Sequence, residues 1–458
     1  MTKHVNGDTL HRLMKQVLDD GTVKDVEEAL RLFEGYRLSV LIDSKQVDNP
    51  IDQMVLLTIL ALASRVFLGG VNVCGDLDTS IASGLPFAGR LSDEVVRLGG
   101  TIVAEVGDDP LIVVGGGERP RSQVFSVRTV VSGWRAGICP SHSKVKLADK
   151  RPIPLVATLS AALAVNEAYL HVNGDMPSAG HRTVGISLWN PDASVDWRAA
   201  DSSEPDLRYL PTKLWLIGLG HLGQAYLWNL GLLPYADPSE LSLVLQDVDV
   251  VTESTPSTSI LTDISMVGLK KTRAMANWAE ARGFSVSLQE RYFASDFKRQ
   301  SVEPGIALCG LDNALGRRAL DSAGFDMVVE AGLGRGHEDF RKLRTHVLPG
   351  HSVAEKIWPL QQDTNGSSLA DIYKNMVKEG KLDQCGATLL AGKAVGAPFV
   401  GMVASCFVIS EVLRLLHGGV RCLLVDLDLV SIDYRQVVFP NADECQLQFN
   451  PGFTEAGW

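Results

Sequence analysis

Strands that alternate with amphipathic helices, one glycine-rich strand-to-helix turn and one apolar segment that occurs twice predict an α/β chain of two Rossmann-like halves. The second half reads as the active one, which keeps its nucleotide loop, and the first as a degenerate copy. The division is expected at residues 1–200 and 201–458. With 458 residues and 45% hydrophobic content, the chain is long enough for more than one core.

From about Pro211 the order of elements is explicit. "KLWLIGLG" is a short apolar strand, "HLGQAYLWNLGLL" has helical apolar spacing, and "LSLVLQDVD" is a second strand closed by acidic residues. "KKTRAMANWAEARG" is an amphipathic helix ending at Gly283; the strands "SVSLQERY" and "GIALCGLDN", the helix "ALGRRALDSAG" and the strand "DMVVEAGLG" follow. Such alternation implies a parallel sheet covered on both faces.

The first 200 residues follow the same plan without the glycines. "RLSVLID" is a strand, "NPIDQMVLLTILALASRVF" a helix and "GGVNVCGD" a strand, but the first turn reads "DSKQVDNP" and cannot bring bare backbone to a phosphate. The duplication rests on "PLVATLSAALAVNEAYLHVNG" (Pro154 to Gly174), which aligns without gaps on "PFVGMVASCFVISEVLRLLHG" (Pro398 to Gly418). Pro154/Pro398, Val156/Val400, Glu167/Glu411 and Gly174/Gly418 are identical. The polar stretch Asp196 to Thr212 is the expected linker.

Composition narrows the class. A net charge of -11 argues against bulk nucleic-acid binding, which needs a basic face. No uninterrupted apolar run of the roughly 20 residues that span a bilayer is expected, and the N-terminus lacks a signal-peptide core, so the reading is a cytoplasmic protein with no membrane partner. Seven cysteines without a CxxC pair give neither a disulfide framework nor a structural zinc site. Cys309 and Cys406 lie on apolar elements and read as core.

The chemistry concentrates in the second half. Gly218, Gly220 and Gly223 form GxGxxG at a strand-to-helix turn, where backbone N–H groups hold phosphate oxygens of NAD, FAD, S-adenosylmethionine or ATP alike. Asp247 and Asp249 close the second strand, one placed for a ribose and the other for a Mg²⁺ ion. Lys270 and Lys271 begin a helix, where the dipole disfavours them and a use for the charge is implied. Asp312 and Asn313 follow a buried strand at the same edge. His221 reads as a loop residue without a catalytic part.

The order GLGHLG, DVD, KK, LDN resembles the nucleotide site of the ubiquitin-activating (E1-like) superfamily, including adenylyltransferases of ThiF and MoeB type. The resemblance covers Pro211 to Gly419. It implies ATP with Mg²⁺, with Asp247 on the ribose, Lys271, 24 positions later, on the phosphates, Asp312 on the metal, and Asn313 and Arg317 alongside. It also implies a nucleophilic cysteine in the crossover segment, which is Cys385 in "LDQCGATLLAGKAVGAP", read as a loop cysteine near Lys381 and Lys393. The family's partner half donates an arginine to the phosphates; the candidates are Arg31, Arg37 and Arg12, the first two ranked ahead because they adjoin the first strand. Thr255 and Thr258 stand where the family has an Asn and an Arg.

What the resemblance implies is ATP-dependent adenylation of the C-terminal glycine of a ubiquitin-like protein, capture on Cys385 as a thioester, and transfer to an E2-like conjugating enzyme. A homodimer is compatible with it. The short crossover from Pro349 to Cys385, and the 39 residues after Gly419, fit compact bacterial ubiquitin-like conjugation systems such as the Bil-type antiphage operons. Three alternatives stay open: adenylation of a sulfur carrier or peptide without a thioester, a nicotinamide-dependent oxidoreductase, and a degenerate scaffold.

Overall fold

Strands that are apolar at nearly every position, such as Leu111–Val114 and Lys213–Ile217, need cover on both faces, and each lies inside its own sheet. The computed structural model describes residues 8–116, 124–350, 352–359, 371–379, 384–440 and 449–458. The first half runs α1 (Lys15–Asp19), α2 (Val26–Glu34), β1 (Arg37–Ile42), α3 (Pro50–Ala63), β2 (Gly70–Cys74), α4 (Leu91–Arg97), β3 (Gly100–Ile102) and β4 (Leu111–Val114). It continues with β5 (Ser126–Ser132), β6 (Arg135–Pro140), α5 (Pro154–Val172) and β7 (Val184–Ser187).

The second half runs β8 (Tyr209–Pro211), β9 (Lys213–Ile217), α6 (His221–Leu232), β10 (Ser242–Gln246), α7 (Lys271–Glu280), β11 (Ser285–Gln289), β12 (Ile306–Cys309), α8 (Ala314–Arg318), β13 (Met327–Leu333) and β14 (Lys342–Leu348). After these come α9 (Ala354–Ile357), α10 (Asp371–Lys378), α11 (Gln384–Gly392), α12 (Pro398–Leu416), β15 (Leu424–Asp428), β16 (Gln436–Val438) and β17 (Phe453–Glu455). Helix α8 is shorter than "ALGRRALDSAG" led us to expect.

The sheets have matching orders, β3-β2-β1-β4-β5-β6-β7 and β11-β10-β9-β12-β13-β14-β15-β16. In each, the first four neighbour pairings are parallel and the following ones antiparallel. Two Rossmann-like bodies in one chain are therefore present, as expected. The order in which strands are added reverses between β1 and β4, and again between β9 and β12; such switch points are where open α/β sheets bind ligands.

Helices α5 and α12, the repeated segment, pack on one another and against α3 and α6. Each starts with Pro at N1, which needs no N–H donor there, and is followed by a glycine at positive φ, Gly174 at 73° and Gly418 at 72°. The shared glutamates are buried anchors: Glu167 accepts from Arg182 (2.7 Å), and Glu411 pairs with Arg414 and accepts from the Cys422 N–H. Both helices are 19 residues long and, by length and composition alone, apolar enough to cross a bilayer, and 89% of the apolar window of each is buried inside the protein. One apolar core continues through both halves, and a smaller one built on Trp215, Phe293 and Phe297 covers the far face of the second sheet.

The segment expected as a plain polar linker is anchored. Trp197 and Glu204 are buried, and Tyr209–Pro211 pairs with Phe453–Glu455. The Trp197 ring lies so close to Gly137 and Gly185 that neither position has room for a Cβ.

Candidate functional site

A cleft of about 1700 Å³ opens at the carboxyl ends of β9, β10 and β12. Its floor is the turn from β9 into α6. Gly218 (φ +86°) makes the bend against the Gly310 carbonyl, and a Cβ at Gly223 would overlap the Gly218 carbonyl oxygen, so the turn and the helix start need bare backbone. Gly220 caps α6 without a side chain, which leaves the first helical N–H groups and the positive end of the dipole facing the cleft. His221 is the first residue of α6 rather than a loop residue. Its ring is pressed against Gly401 of α12, and burial pushes it down to about 4, so it is neutral and structural.

Asp247 holds this floor. One carboxylate oxygen accepts from the Leu219 N–H at 2.7 Å and the other from the Asp249 N–H at 2.8 Å. Lys271, the first residue of α7, donates to Asp249 at 2.8 Å, and its Nζ lies about 4.0 Å from where a Gly220 Cβ would stand. The lysine at a helix N-terminus is thus set over the glycine loop, and Asp249 meets the ammonium rather than open space. Asp312 is exposed at the mouth of the cleft after β12. Asn313 caps α8 by accepting from the Gly316 N–H at 2.7 Å. Arg317 is turned to the Leu311 carbonyl (2.9 Å) and buried Glu330 (2.9 Å), so it supports the backbone that carries Asp312.

The arginine ranking is overturned. Arg31 is exposed and paired with Glu27, and Arg37 lies 3.8 Å from Asp109; of the three, Arg12 alone lines the cleft. Its backbone is fixed on both sides: its N–H donates to the Ser257 hydroxyl (3.2 Å) and its carbonyl accepts from the Gly396 N–H (3.3 Å). Burial pulls its guanidinium below the usual value and Arg335 adds to this, while Asp8 and Asp312 act the other way. Adjacency to a strand says nothing about which end of the sheet a residue reaches, and that is why the ranking failed.

Lys393, noted beside Cys385 in the sequence, and Arg335, which carried no sequence signal, also line the cleft. Arg335 donates to the Asp312 carbonyl (3.4 Å), and Lys393 donates to Asp8 (3.2 Å). Arg65, just past the end of α3, leaves its own half: it donates to the carbonyls of Pro256 (2.8 Å), Ile260 (3.1 Å) and Thr262 (3.1 Å). It thereby clamps the loop carrying Thr255 and Thr258, which both line the cleft.

Cys385 is on helix α11, not on a loop as expected; its side chain and Lys381 lie outside the described residues. The end of α11 and the residues after it, Gly392 to Gly396, form one wall of the cleft. Cys309, Cys406, Cys139 and Cys422 are buried thiols, as read, whereas Cys74 is half-buried; Cys445 lies outside the described residues. Among the described residues no three His, Cys, Asp or Glu side chains converge as a metal site.

Two family models match: "BilD N-terminal domain" over residues 37–188 and "BilD C-terminal domain" over residues 210–419. The chain is 42% identical over 414 residues, 90% of its own length and 89% of the relative's, to the bacterial E1-like protein BilD of Collimonas sp. (strain OK412). Similar solved structures include E. coli MccB with MccA-N7isoASN (14% identity, TM-score 0.33, covering 52% of this chain and 67% of that one). Another is the E. coli tRNA N6-threonylcarbamoyladenosine dehydratase TcdA (15% identity, TM-score 0.29, 45% and 86%).

Proposed function

This chain belongs to the BilD family of bacterial E1-like proteins, and from that premise we propose that it adenylates the C-terminal carboxylate of a ubiquitin-like protein with ATP. The observation that supports this reading most is one cleft with an uncapped helix N-terminus, Lys271 set over it, Asp312 at its mouth and Arg12 entering from the other half.

The triphosphate lies on the glycine loop, where the α6 N–H groups donate to its oxygens. A carboxylate oxygen of the carrier attacks the α-phosphorus, the bond to the bridging oxygen breaks, and pyrophosphate leaves. Lys271 and Arg12 stabilise the charge that builds up on the phosphoryl oxygens. Asp312 would be the protein ligand of a Mg²⁺ ion bound with the phosphates, and that ion would supply charge neutralisation for the leaving pyrophosphate. The Cys385 thiolate then attacks the acyl carbon, releases AMP and holds the carrier as a thioester for an E2-like enzyme.

ATP–pyrophosphate exchange on the full chain tests the reading. With a glycine-terminated carrier, exchange is expected, and Asp312→Ala lowers it by about a hundredfold or more. Cys385→Ala keeps exchange but loses the thiol-sensitive carrier adduct. Folded wild-type protein that gives no exchange with any such carrier sinks the proposal.

A further inference from the structure

A second cavity, of about 420 Å³, lies where the two halves meet, away from the nucleotide cleft. Pro86, Phe87, Glu94 and Arg97 line it from the first half, and Leu269, Trp278 and Arg282 from the second. Two guanidinium groups share one ring: Arg97 lies 5.9 Å and Arg282 5.8 Å from the centre of Phe87. Arg282 also lies flat on Trp278 at 3.4 Å, and Trp278 in turn covers Gly231 of α6, where no Cβ would fit at its present place.

The charges in this cavity do not balance. Its one carboxylate, Glu94, is taken by Arg97 at 2.6 Å. Among the described residues the Arg282 guanidinium makes one hydrogen bond, to the Trp278 carbonyl at 3.0 Å, its buried Nε–H has no acceptor, and no carboxylate forms an ion pair with it. Burial first, and Arg97 second, push its guanidinium down to about 9, with Glu94 opposing. A half-buried cation between aromatic faces, short of one negative charge, is a site built for an anion.

The rim decides what carries that anion. Leu269 in the lining is 45% exposed, and Val96, Ile264 and Val267, which stand one or two positions along the chain from the lining residues Arg97 and Met266, are exposed as well. Large apolar side chains open to water around a charged pocket are a surface for protein contact rather than for a free inorganic ion. We propose that this cavity is a docking site for a short segment of a partner protein in which an Asp or Glu is flanked by apolar side chains. The carboxylate pairs with Arg282, and its apolar neighbours cover Leu269, Val267 and Val96. The site makes no use of nucleotide chemistry and stands apart from the activity proposed above.

The probe is a capped tripeptide of sequence Leu-Glu-Leu, titrated calorimetrically into the full chain, with the Leu-Gln-Leu peptide and inorganic phosphate as comparisons. The acidic peptide is expected to bind at least about tenfold more tightly than the amide peptide, a difference of one charge-assisted hydrogen-bonded pair. Arg282→Gln removes that preference. Glu94→Gln frees Arg97 and tightens acidic-peptide binding severalfold, a gain that a damaged fold does not produce. Equal binding of the two peptides, no binding of either to the folded chain, or phosphate binding as tightly as the acidic peptide overturns the assignment.

Discussion

The two halves carry sheets of matching order and differ at the turn that opens the candidate cleft. In the second half the turn after β9 ends in Gly220, which has no side chain with which to cap α6. In the first half Asn49 caps α3, its oxygen accepting from the N–H groups of Ile51 and Asp52, so these helical donors are already satisfied. The third helical residue is Gly223 in α6 and Asp52 in α3. At the end of the neighbouring strand both halves keep a glycine: Gly310 leans on the start of α6, while Gly115 faces the buried Asp52 carboxyl at 3.1 Å from its Cβ position. In the first half a cap and an acid stand where the second half has bare backbone, and they do so without disturbing the apolar pattern that builds the sheet.

That contrast can be broken most sharply by moving the acid. Gly223→Asp puts the first half's residue into the second half's loop, against the Gly218 carbonyl and in the path of a phosphate. We expect loss of nucleotide binding and a fall in pyrophosphate exchange of about a thousandfold or more, together with a lowered melting temperature, because the new Cβ displaces the Gly218 carbonyl. Unchanged nucleotide affinity in a folded variant would show that the two turns are not functional counterparts.

A middle-sized effect is expected at Arg65, by which the first half holds the second half's cleft loop. Arg65→Ala removes donors to three carbonyls of residues 256–262 and should raise the KM for ATP about tenfold to a hundredfold while changing kcat less. Added guanidinium should recover part of the loss. If KM stays at the wild-type value, the first half does not shape the site through this contact.

The smallest effect sharpens the comparison from the other side. Burial pushes the Asp52 carboxyl up from 3.8 to about 7. An acid raised in this way is neutral in the fold and ionised in the unfolded chain, so stability is full below about pH 4. It falls as pH rises through about 7 and stays lower above that, by at most about 4 kcal/mol at roughly 1.4 kcal/mol per unit. Asp52→Asn should raise the melting temperature at pH 8 by a few degrees and leave it unchanged at pH 4. Calorimetric scans at the two pH values check this, and equal shifts at both would remove the titration from the account.

Much of the fold was legible because it depends on local patterns. The strands "RLSVLI" and "KLWLI", the helix starts at Pro50, Pro154 and Pro398, and the duplicated helix all follow from apolar periodicity and proline placement. Of the site, Gly218, Gly220, Gly223, Asp247, Lys271 and Asp312 were legible because each sits at a fixed offset from a strand end. Arg12 was named only as the last of three candidates, and Arg335 and Arg65 were not legible, since their partners are far away along the chain: the Arg65 donors meet carbonyls some 190 residues later. Cys385 was named from its place in the crossover segment, and its helix was not expected, because the flanking "CGATLLAG" is short and has glycine on both sides.

By itself the sequence determined that there are two related sheets, which of them keeps bare backbone for a phosphate, and which acids and lysine stand at that edge. These are properties of neighbours, set by periods of two and 3.6 residues and by the conformations open to glycine and proline. Only the tertiary structure decided that Arg12 enters the cleft, that the first half clamps the second half's loop, and that Arg97 and Arg282 share a cavity. Those facts depend on how two whole bodies pack, and packing of α5 and α12 brings together side chains that no local pattern connects.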